Sequence, residues 1–238
     1  MDNPFFRTQM LLGKPAMEKL AQARVAVFGI GGVGGYVAEA LARSGVGSLD
    51  LIDHDTVSVS NLNRQIIATR RTIDQLKVEA ARERVADIAP DCVVRTYPVF
   101  YTPDTKDQFD FHQYDYVVDA IDTVSSKLIL VQEAQQAGTP IISCMGTGDK
   151  LDPTALTITD ISKTSMCPLA RVMRKELRKR GIHHLTVVYS TEEAISPDGW
   201  EEEAAALGKR QIPGSTAFVP AAAGLIAASK VVRDLAGK

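Results

Sequence analysis

The sequence predicts one α/β domain whose core is a doubly wound, mainly parallel sheet with an antiparallel C-terminal extension. Apolar segments of strand length alternate with helix-length segments from residue 24 to residue 145, which favours parallel strands joined by right-handed crossovers. The first strand leads directly into a glycine-rich turn within VAVFGIGGVG, residues 25–34. The 238 residues are 45% hydrophobic and 24% charged, which suits one large domain with a sizeable core. We therefore expect a single domain spanning residues 1–238.

The elements of the parallel part follow from hydrophobic periodicity, after an N-terminal segment with helix-spaced apolar residues. Strands are expected at about 24–29, 48–53, 92–97, 115–119 and 140–145. The helices between them are expected at about 33–44, 75–89 and 123–137. Asp74 is placed to cap the second of these helices, and Pro90 to end it.

The C-terminal part of the chain has a different pattern. Residues 155–161 and 185–190 alternate as strands, with an amphipathic helix expected at 168–180 between them, and this predicts an antiparallel edge on the sheet. Residues 191–213 are acid-rich with proline and glycine, so we expect a mobile loop there. An alanine-rich helix is expected at about 217–235.

Composition excludes several classes of protein. The net charge of −2 gives no overall signal for nucleic-acid binding, so any basic surface has to be local. No apolar run approaches the ~20 residues needed to span a bilayer, and the N-terminus lacks a secretory pattern. Three scattered cysteines argue against a structural zinc site and against a disulfide scaffold. We expect a cytoplasmic protein with no membrane partner.

The glycine-rich turn predicts a Rossmann-like nucleotide site. Gly29, Gly31 and Gly34 have the spacing of the dinucleotide fingerprint. Gly32 leaves one more position of the turn without a side chain. Such a turn exposes backbone N–H groups at a helix N-terminus, where a phosphate can bind. Asp53 ends the next strand about twenty residues on, where a carboxylate can accept the ribose hydroxyls.

Charged and polar residues then follow the ends of two strands. Asn61 and Arg64 come after the strand that ends at Asp53, and a lysine follows in LKVEAA at Lys77. The strand YVVDAID ends in two carboxylates, Asp119 and Asp122. Cations beside phosphates, together with a carboxylate that can hold Mg²⁺, are the groups needed for reaction at a nucleoside triphosphate. A hydride-transfer enzyme needs neither the cations beside the phosphates nor the metal-binding carboxylate.

These motifs, in this order, resemble a known family. The glycine turn GxGGxG, then LIDHDTVSVSNLNRQ, LKVEAA and VVDAIDT, resembles the adenylating domain of the ubiquitin-activating superfamily, the ThiF/MoeB/HesA enzymes. The N-terminal FFRTQ resembles the arginine-containing segment that this family extends into its partner subunit's site. The C-terminal FVPAAAGLIAASKVVRDL resembles the family's closing helix. The resemblance covers nearly the whole chain.

The resemblance implies a homodimeric enzyme that uses ATP and Mg²⁺. Asp122 would position the metal and the attacking carboxylate, and Arg7 would be donated across the dimer interface. Arg64, Lys77 and Asn61 would bind the triphosphate. The full set of nucleotide-binding residues implied is Gly29, Gly31, Gly32, Gly34, Asp53, Asn61, Arg64 and Lys77.

Two features narrow the branch of the family. The zinc-binding C-x-x-C pairs of members that activate sulfur carriers are absent, and no cysteine is placed as a thioester nucleophile, since Cys167 precedes the acidic loop. DISKTS, followed by PLAR and a basic helix, resembles the tRNA threonylcarbamoyladenosine dehydratases. That family activates the carboxylate of the threonylcarbamoyl group at tRNA position 37 as an acyl-adenylate and closes it to a cyclic form, releasing AMP and pyrophosphate.

The basic helix gives an independent indication of tRNA. Leu169, Val172, Met173 and Leu177 are expected on one face of this helix. The basic residues expected on the opposite face, where they would bind a phosphate backbone, are Arg171, Arg174, Lys175 and Arg178.

Two alternatives remain at this point. One is an enzyme that adenylates the C-terminus of a sulfur-carrier or ubiquitin-like protein, with a sulfur-transfer protein as a partner; it would need a docking surface and usually a thiol. The other, from a different class, is a nucleotide-binding sensor or an NAD-dependent oxidoreductase. Bound NADH, or ATP binding without pyrophosphate release, would favour the second.

Overall fold

The computed structural model describes residues 3–196, 198–199 and 213–238. Within these residues the strands form a seven-stranded sheet in the order β3-β2-β1-β4-β5-β7-β6. The strands are β1 Arg24–Phe28, β2 Ser48–Ile52, β3 Val93–Tyr97, β4 Tyr116–Asp119, β5 Ile141–Cys144, β6 Leu156–Asp160 and β7 Thr186–Ser190. The helices are α1 Phe6–Leu12, α2 Lys14–Gln22, α3 Gly34–Arg43, α4 Lys77–Ile88, α5 Val124–Ala137, α6 Pro168–Lys179 and α7 Val219–Ala236.

The sheet topology confirms the predicted fold class. Neighbouring strands from β3 through β7 pair in parallel, and only the edge strand β6 runs antiparallel, against β7. The chain starts in the middle of the sheet at β1 and builds outward to β2 and β3 on one side and to β4 and β5 on the other. The strand order therefore reverses between β1 and β4, and in sheets of this kind ligands bind in the crevice at the carboxyl ends of those strands.

Both faces of the sheet are covered, which explains why most positions of the central strands are apolar. Val25 and Val27 of β1 face the cluster formed with α3, α4 and α7. Ala26 and Phe28 alternate to the other face, which packs against α5 and several aromatic side chains. This burial fixes the register of β1 and so fixes where the glycine turn emerges.

Asp74 does not cap α4, so that expectation was wrong. The helix begins after Leu76, which occupies the cap position, and Asp74 has a positive φ of 69°. Leu76 forms an isolated bridge with Thr56. This tertiary contact sets the start of α4 two residues beyond the position that the cap signal predicted.

The predicted mobile loop at 191–213 lies largely outside the described residues. The flanking residues on both sides are joined by Asp149, which has a positive φ of 59°. Its carboxylate Oδ1 accepts a 2.6 Å hydrogen bond from the Gly214 N–H, and its carbonyl accepts one of 2.8 Å from the Ile195 N–H. Among the described residues, none of the helices combines the length and the apolar character that a membrane crossing requires.

Candidate nucleotide-binding site

The glycine turn is held against its own backbone and against the end of β4. Gly29 has a φ of 89°, and a Cβ on it would lie 2.6 Å from the Ala120 carbonyl oxygen. A Cβ on Gly34 would lie 1.7 Å from the Gly29 carbonyl oxygen. Only glycine fits at these two positions, and α3 therefore begins directly at the carboxyl edge of β1. Within the described part of the chain, no side chain caps the N-terminus of α3, so its first N–H groups can bind an anion.

Residues 64–66 pack along this turn. A Cβ on Gly32 would lie 3.5 Å from Arg64 Cγ, and one on Gly35 would lie 3.3 Å from Ile66 Cγ2. Arg64 is half-buried, its Nη1 donates to Ser60 O at 2.8 Å, and burial lowers the pKa of its guanidinium. No carboxylate in the described ranges forms an ion pair with Arg64. Its charge is therefore available to an anionic ligand beside the turn.

Asp53 joins the turn to the end of β2. Its Oδ2 accepts a 2.7 Å hydrogen bond from the Ile30 N–H, and its Oδ1 accepts one of 2.9 Å from the Asp55 N–H. Each oxygen keeps a second lone pair for a ribose hydroxyl. Asn61, which follows Asp53 in the chain, is buried. Its Oδ1 accepts a hydrogen bond from the Ser58 N–H at 3.1 Å.

Lys77 is the first residue of α4 and is only 6% exposed. Its Nζ lies 2.7 Å from Asp55 Oδ2, so its charge is already paired. Asp53, His54 and Asp55 place one ligand atom each within 4.8 Å of one another, a spacing that a metal ion could use. A phosphate that binds Lys77 has to compete with Asp55 or share the ammonium group with it.

The two carboxylates after β4 have different environments. Asp119 is fully buried, and its Oδ2 accepts from Lys127 Nζ at 2.9 Å and from the Ser143 hydroxyl. Asp122 is exposed, and its Oδ1 accepts from Thr123 Oγ1 at 3.2 Å. Only Asp122 is therefore open to a ligand. Asp119 is held inside the protein by these contacts and acts as a structural group.

Lys127 is a residue that the sequence analysis missed. Its Nζ also donates to Ile121 O at 3.0 Å and to Cys144 O at 2.8 Å. The lysine thus fixes the loop that carries Asp122 and joins it to the end of β5. The only sequence signal was a lysine among the apolar residues of α5, in VSSKLILV.

Arg7 is not brought to this site within its own chain. It is exposed on α1, beside a groove whose other lining residues include Leu11, Ala40 and Leu225. Ala40 is six residues along α3 from Gly34, which places the groove roughly 9 Å from the glycine turn along the helix axis. Arg7 therefore lies beside the second half of α3, and the glycine turn is at the start of that helix.

Helix α6 departs from the expected arrangement at two residues. Arg171, Lys175 and Arg178 are exposed as predicted. Arg174 is half-buried, and its Nη1 donates to Thr164 O at 2.9 Å, so it holds the loop before α6 instead of facing solvent. Val172, expected on the apolar face, is 43% exposed. The apolar face is formed by Met173 and Leu177, as predicted, together with Ala170, and Leu169 packs against the same cluster.

The cysteines do not provide an accessible thiolate. Cys167 is 3% exposed at the N-terminus of α6, where its sulfur accepts from the Ala170 N–H at 3.5 Å. Burial raises the pKa of Cys92 to about 11 and that of Cys144 to about 12. A thiolate nucleophile needs the opposite shift and an open position.

The fold and the site define a Rossmann-like nucleotide-binding protein, with a bare glycine turn, a carboxylate at the end of β2 and an arginine beside the turn. The model of the ThiF family matches residues 6–238, and the chain belongs to this family. It is 43% identical over 242 residues to the tRNA threonylcarbamoyladenosine dehydratase of Bacillus subtilis, covering 99% of this chain and 95% of the relative.

Solved structures agree with this assignment. The chain matches the Escherichia coli tRNA N6-threonylcarbamoyladenosine dehydratase TcdA in complex with ATP, with a TM-score of 0.88, 35% identity and coverage of 98% of this chain and 93% of that one. The adenylyltransferase and sulfurtransferase uba4 of Ogataea parapolymorpha is 36% identical over 148 residues, but covers 62% of this chain and 37% of the relative.

Proposed function

We propose that this protein is an ATP-dependent tRNA threonylcarbamoyladenosine dehydratase of the ligase class, acting in the cytoplasm on position 37 of tRNA. The observation that carries the proposal is the similarity to the Bacillus subtilis dehydratase, which covers 99% of this chain and 95% of that relative. The site supports it, because Arg64 lies beside the glycine turn with no carboxylate partner in the described ranges, and Asp122 is open to solvent.

The proposed reaction has two steps. A carboxylate oxygen of the threonylcarbamoyl group attacks the α-phosphorus of ATP, and pyrophosphate leaves. A nitrogen of the same substrate then attacks the acyl carbon, loses its proton and closes the ring, and AMP leaves with the carboxylate oxygen. Arg64 and Lys77 neutralise the phosphates, so that the anionic carboxylate can approach. No nucleophile from the protein is required, which agrees with the buried Cys167.

Asp122 fits the role of a Mg²⁺ ligand. Its carboxylate is exposed at the carboxyl end of β4, and Mg²⁺ prefers one or two carboxylates together with water and phosphate oxygens. Bound there, Mg²⁺ would supply charge neutralisation at the phosphates. Lys127 holds the loop that carries Asp122, and this contact limits the movement of the carboxylate.

The experiment that tests the function is ATP consumption by the full chain with unmodified tRNA and with tRNA carrying the threonylcarbamoyl group. Stimulation by the modified tRNA alone, with AMP and cyclised nucleoside as products, is expected. Turnover that instead needs a sulfur-carrier protein, and fails when Cys167 is replaced, would favour the alternative represented by uba4. Bound NADH would favour an oxidoreductase.

We propose that Arg7 completes the site of a second copy of this chain. The support is its exposure and its position beside the second half of α3. Met10 and Leu11, on the same helix as Arg7, are 71% and 85% exposed. Large apolar residues that lie exposed next to one another are typical of a surface that another protein covers.

Mixing two inactive variants tests the exchange of Arg7. Arg7→Ala and Asp122→Ala should each be inactive as homodimers. The re-associated mixture should recover about a quarter of wild-type activity, because about half of its dimers are mixed and each mixed dimer has one intact site out of two. Recovery is measured as AMP release after unfolding and refolding the mixture. If Arg7 serves its own subunit, both sites of the mixed dimer are defective and no activity returns.

We also propose that the exposed face of α6 binds the tRNA backbone. Replacing Arg171, Lys175 and Arg178 by alanine should weaken tRNA binding and reduce its salt slope, log Kd against log [salt], by about 2 to 3, while the Kd for ATP stays unchanged. The matched control removes Lys14 and Lys19 of α2. An unchanged salt slope in the α6 variant would show that tRNA binds elsewhere.

A further inference from the structure

Gln65 has a side-chain amide that the protein leaves unused. The residue is 7% exposed, its Oε1 is buried, and this oxygen has no hydrogen-bond partner among the described residues. Its backbone is fixed, because the Gln65 N–H donates to Asn61 O and its carbonyl accepts from the Ala68 N–H, both at 3.0 Å. Buried polar atoms in native proteins are almost always paired. Because no hydrogen bond within the described residues holds the Gln65 amide, its NH₂ group is available to an acceptor on a ligand.

The amide lies at the glycine turn. The Nε2 of Gln65 is 3.8 Å from the position that a Cβ on Gly31 would occupy. Its neighbours in sequence, Arg64 and Ile66, face Gly32 and Gly35 of the same turn. Gln65 is therefore the middle member of three consecutive side chains that cover the start of α3.

Gly31 gives a second indication of a ligand at this position. Its φ is not in the left-handed region, and a Cβ would meet only the Gln65 amide, at an ordinary contact distance. Neither backbone conformation nor crowding within the described residues requires glycine here, in contrast to Gly29 and Gly34. A bare Cα with free space in front of it allows a close approach of phosphate.

We propose that Gln65 is a nucleotide-binding residue whose side-chain Nε2 donates a hydrogen bond to a phosphate oxygen of the nucleotide at the turn Gly31–Gly34. Arg64 supplies charge on one side of this position, and the Gln65 amide supplies a directed donor on the other. This inference rests on the proposed function only in taking ATP as the nucleotide.

The test is calorimetric binding of MgATP and of AMP to the full chain carrying Gln65→Met, together with its melting temperature. Loss of a hydrogen bond to a charged group should raise the Kd for ATP by about tenfold or more. Because methionine removes the unpaired oxygen and keeps the volume, the melting temperature should stay the same or rise. The control is Gln136→Met, because Gln136 is an exposed glutamine near the C-terminal end of α5.

Gln65→Glu provides the second variant. It preserves shape and places a carboxylate against the phosphates, so its loss of ATP affinity should exceed that of Gln65→Met. ATP binding equal to wild type in both variants overturns the proposal: a lower melting temperature would then show a structural glutamine, and an unchanged one an amide that contacts only water. An equal loss for AMP would identify the α-phosphate, and a loss for ATP alone the outer phosphates; both support the proposal.

The outcome is separable from that of the proposed function. If the wild-type chain binds ATP but does not act on modified tRNA, the proposed function fails and the binding comparison at Gln65 still stands. If the wild-type chain processes modified tRNA and Gln65→Met binds ATP normally, only the inference on Gln65 fails.

Discussion

Asp122→Ala will abolish ATP–pyrophosphate exchange in the presence of modified tRNA and leave the fold intact. The carboxylate is exposed, so its removal should change the free energy of unfolding by less than about 0.5 kcal/mol. Removal of a group that acts on charge developing in the transition state typically lowers the rate by about 10²–10³-fold, and loss of the bound metal would lower it further. The measurement is isotope exchange from pyrophosphate into ATP, with circular dichroism as the check on folding.

Two comparisons sharpen this test. Asp87→Ala removes another exposed carboxylate, near the far end of α4, and should leave exchange unchanged. Asp122→Asn keeps the shape of the side chain but removes its charge, and should be nearly as inactive as Asp122→Ala if the carboxylate holds the metal. Exchange retained in Asp122→Ala would remove this residue from the mechanism.

The glycine turn could be predicted because its requirements are local. Gly29 and Gly34 contact backbone within the turn and at the end of β4, and such contacts leave a fixed spacing in the sequence. The positions of β1 and β2 follow from burial on both faces, which makes most residues of each strand apolar. The antiparallel edge formed by β6 was visible as alternation, because one face of that strand is less buried.

The residues that could not be predicted depend on tertiary contacts. Asp119 and Asp122 lie at the end of the same strand and look alike in the sequence. The contacts of Asp119 with Lys127, from α5, and with Ser143, from β5, distinguish them. The position of Arg174 in the sequence predicts an exposed basic residue, but in the structure its Nη1 donates a hydrogen bond to the Thr164 carbonyl oxygen. Arg7 lies exposed beside a groove of the single chain, so the proposed role in a second copy cannot be read from contacts within one chain.

Lys127→Met will destabilise the protein strongly, because it leaves the Asp119 carboxylate buried without its cation. Both side chains are fully buried and lie 2.9 Å apart. Breaking such a pair by removing one partner typically costs about 3–5 kcal/mol, which for a chain of this size lowers the melting temperature by roughly 10 °C or more. The measurement is urea unfolding, which gives the free energy of unfolding together with the midpoint.

The double variant Lys127→Met/Asp119→Asn distinguishes a charge effect from lost packing. Neutralising the carboxylate should recover part of the lost stability, since the amide no longer carries an unpaired buried charge. Lys106→Met is the matched control, because Lys106 forms a similar 2.7 Å pair with Glu133 at the surface, where little change is expected. Recovery will be incomplete, because Lys127 also bonds the carbonyls of Ile121 and Cys144. If Lys127→Met unfolds at the same urea concentration as the wild type, the pair does not stabilise the fold, and the fixed position of Asp122 has to come from elsewhere in its loop.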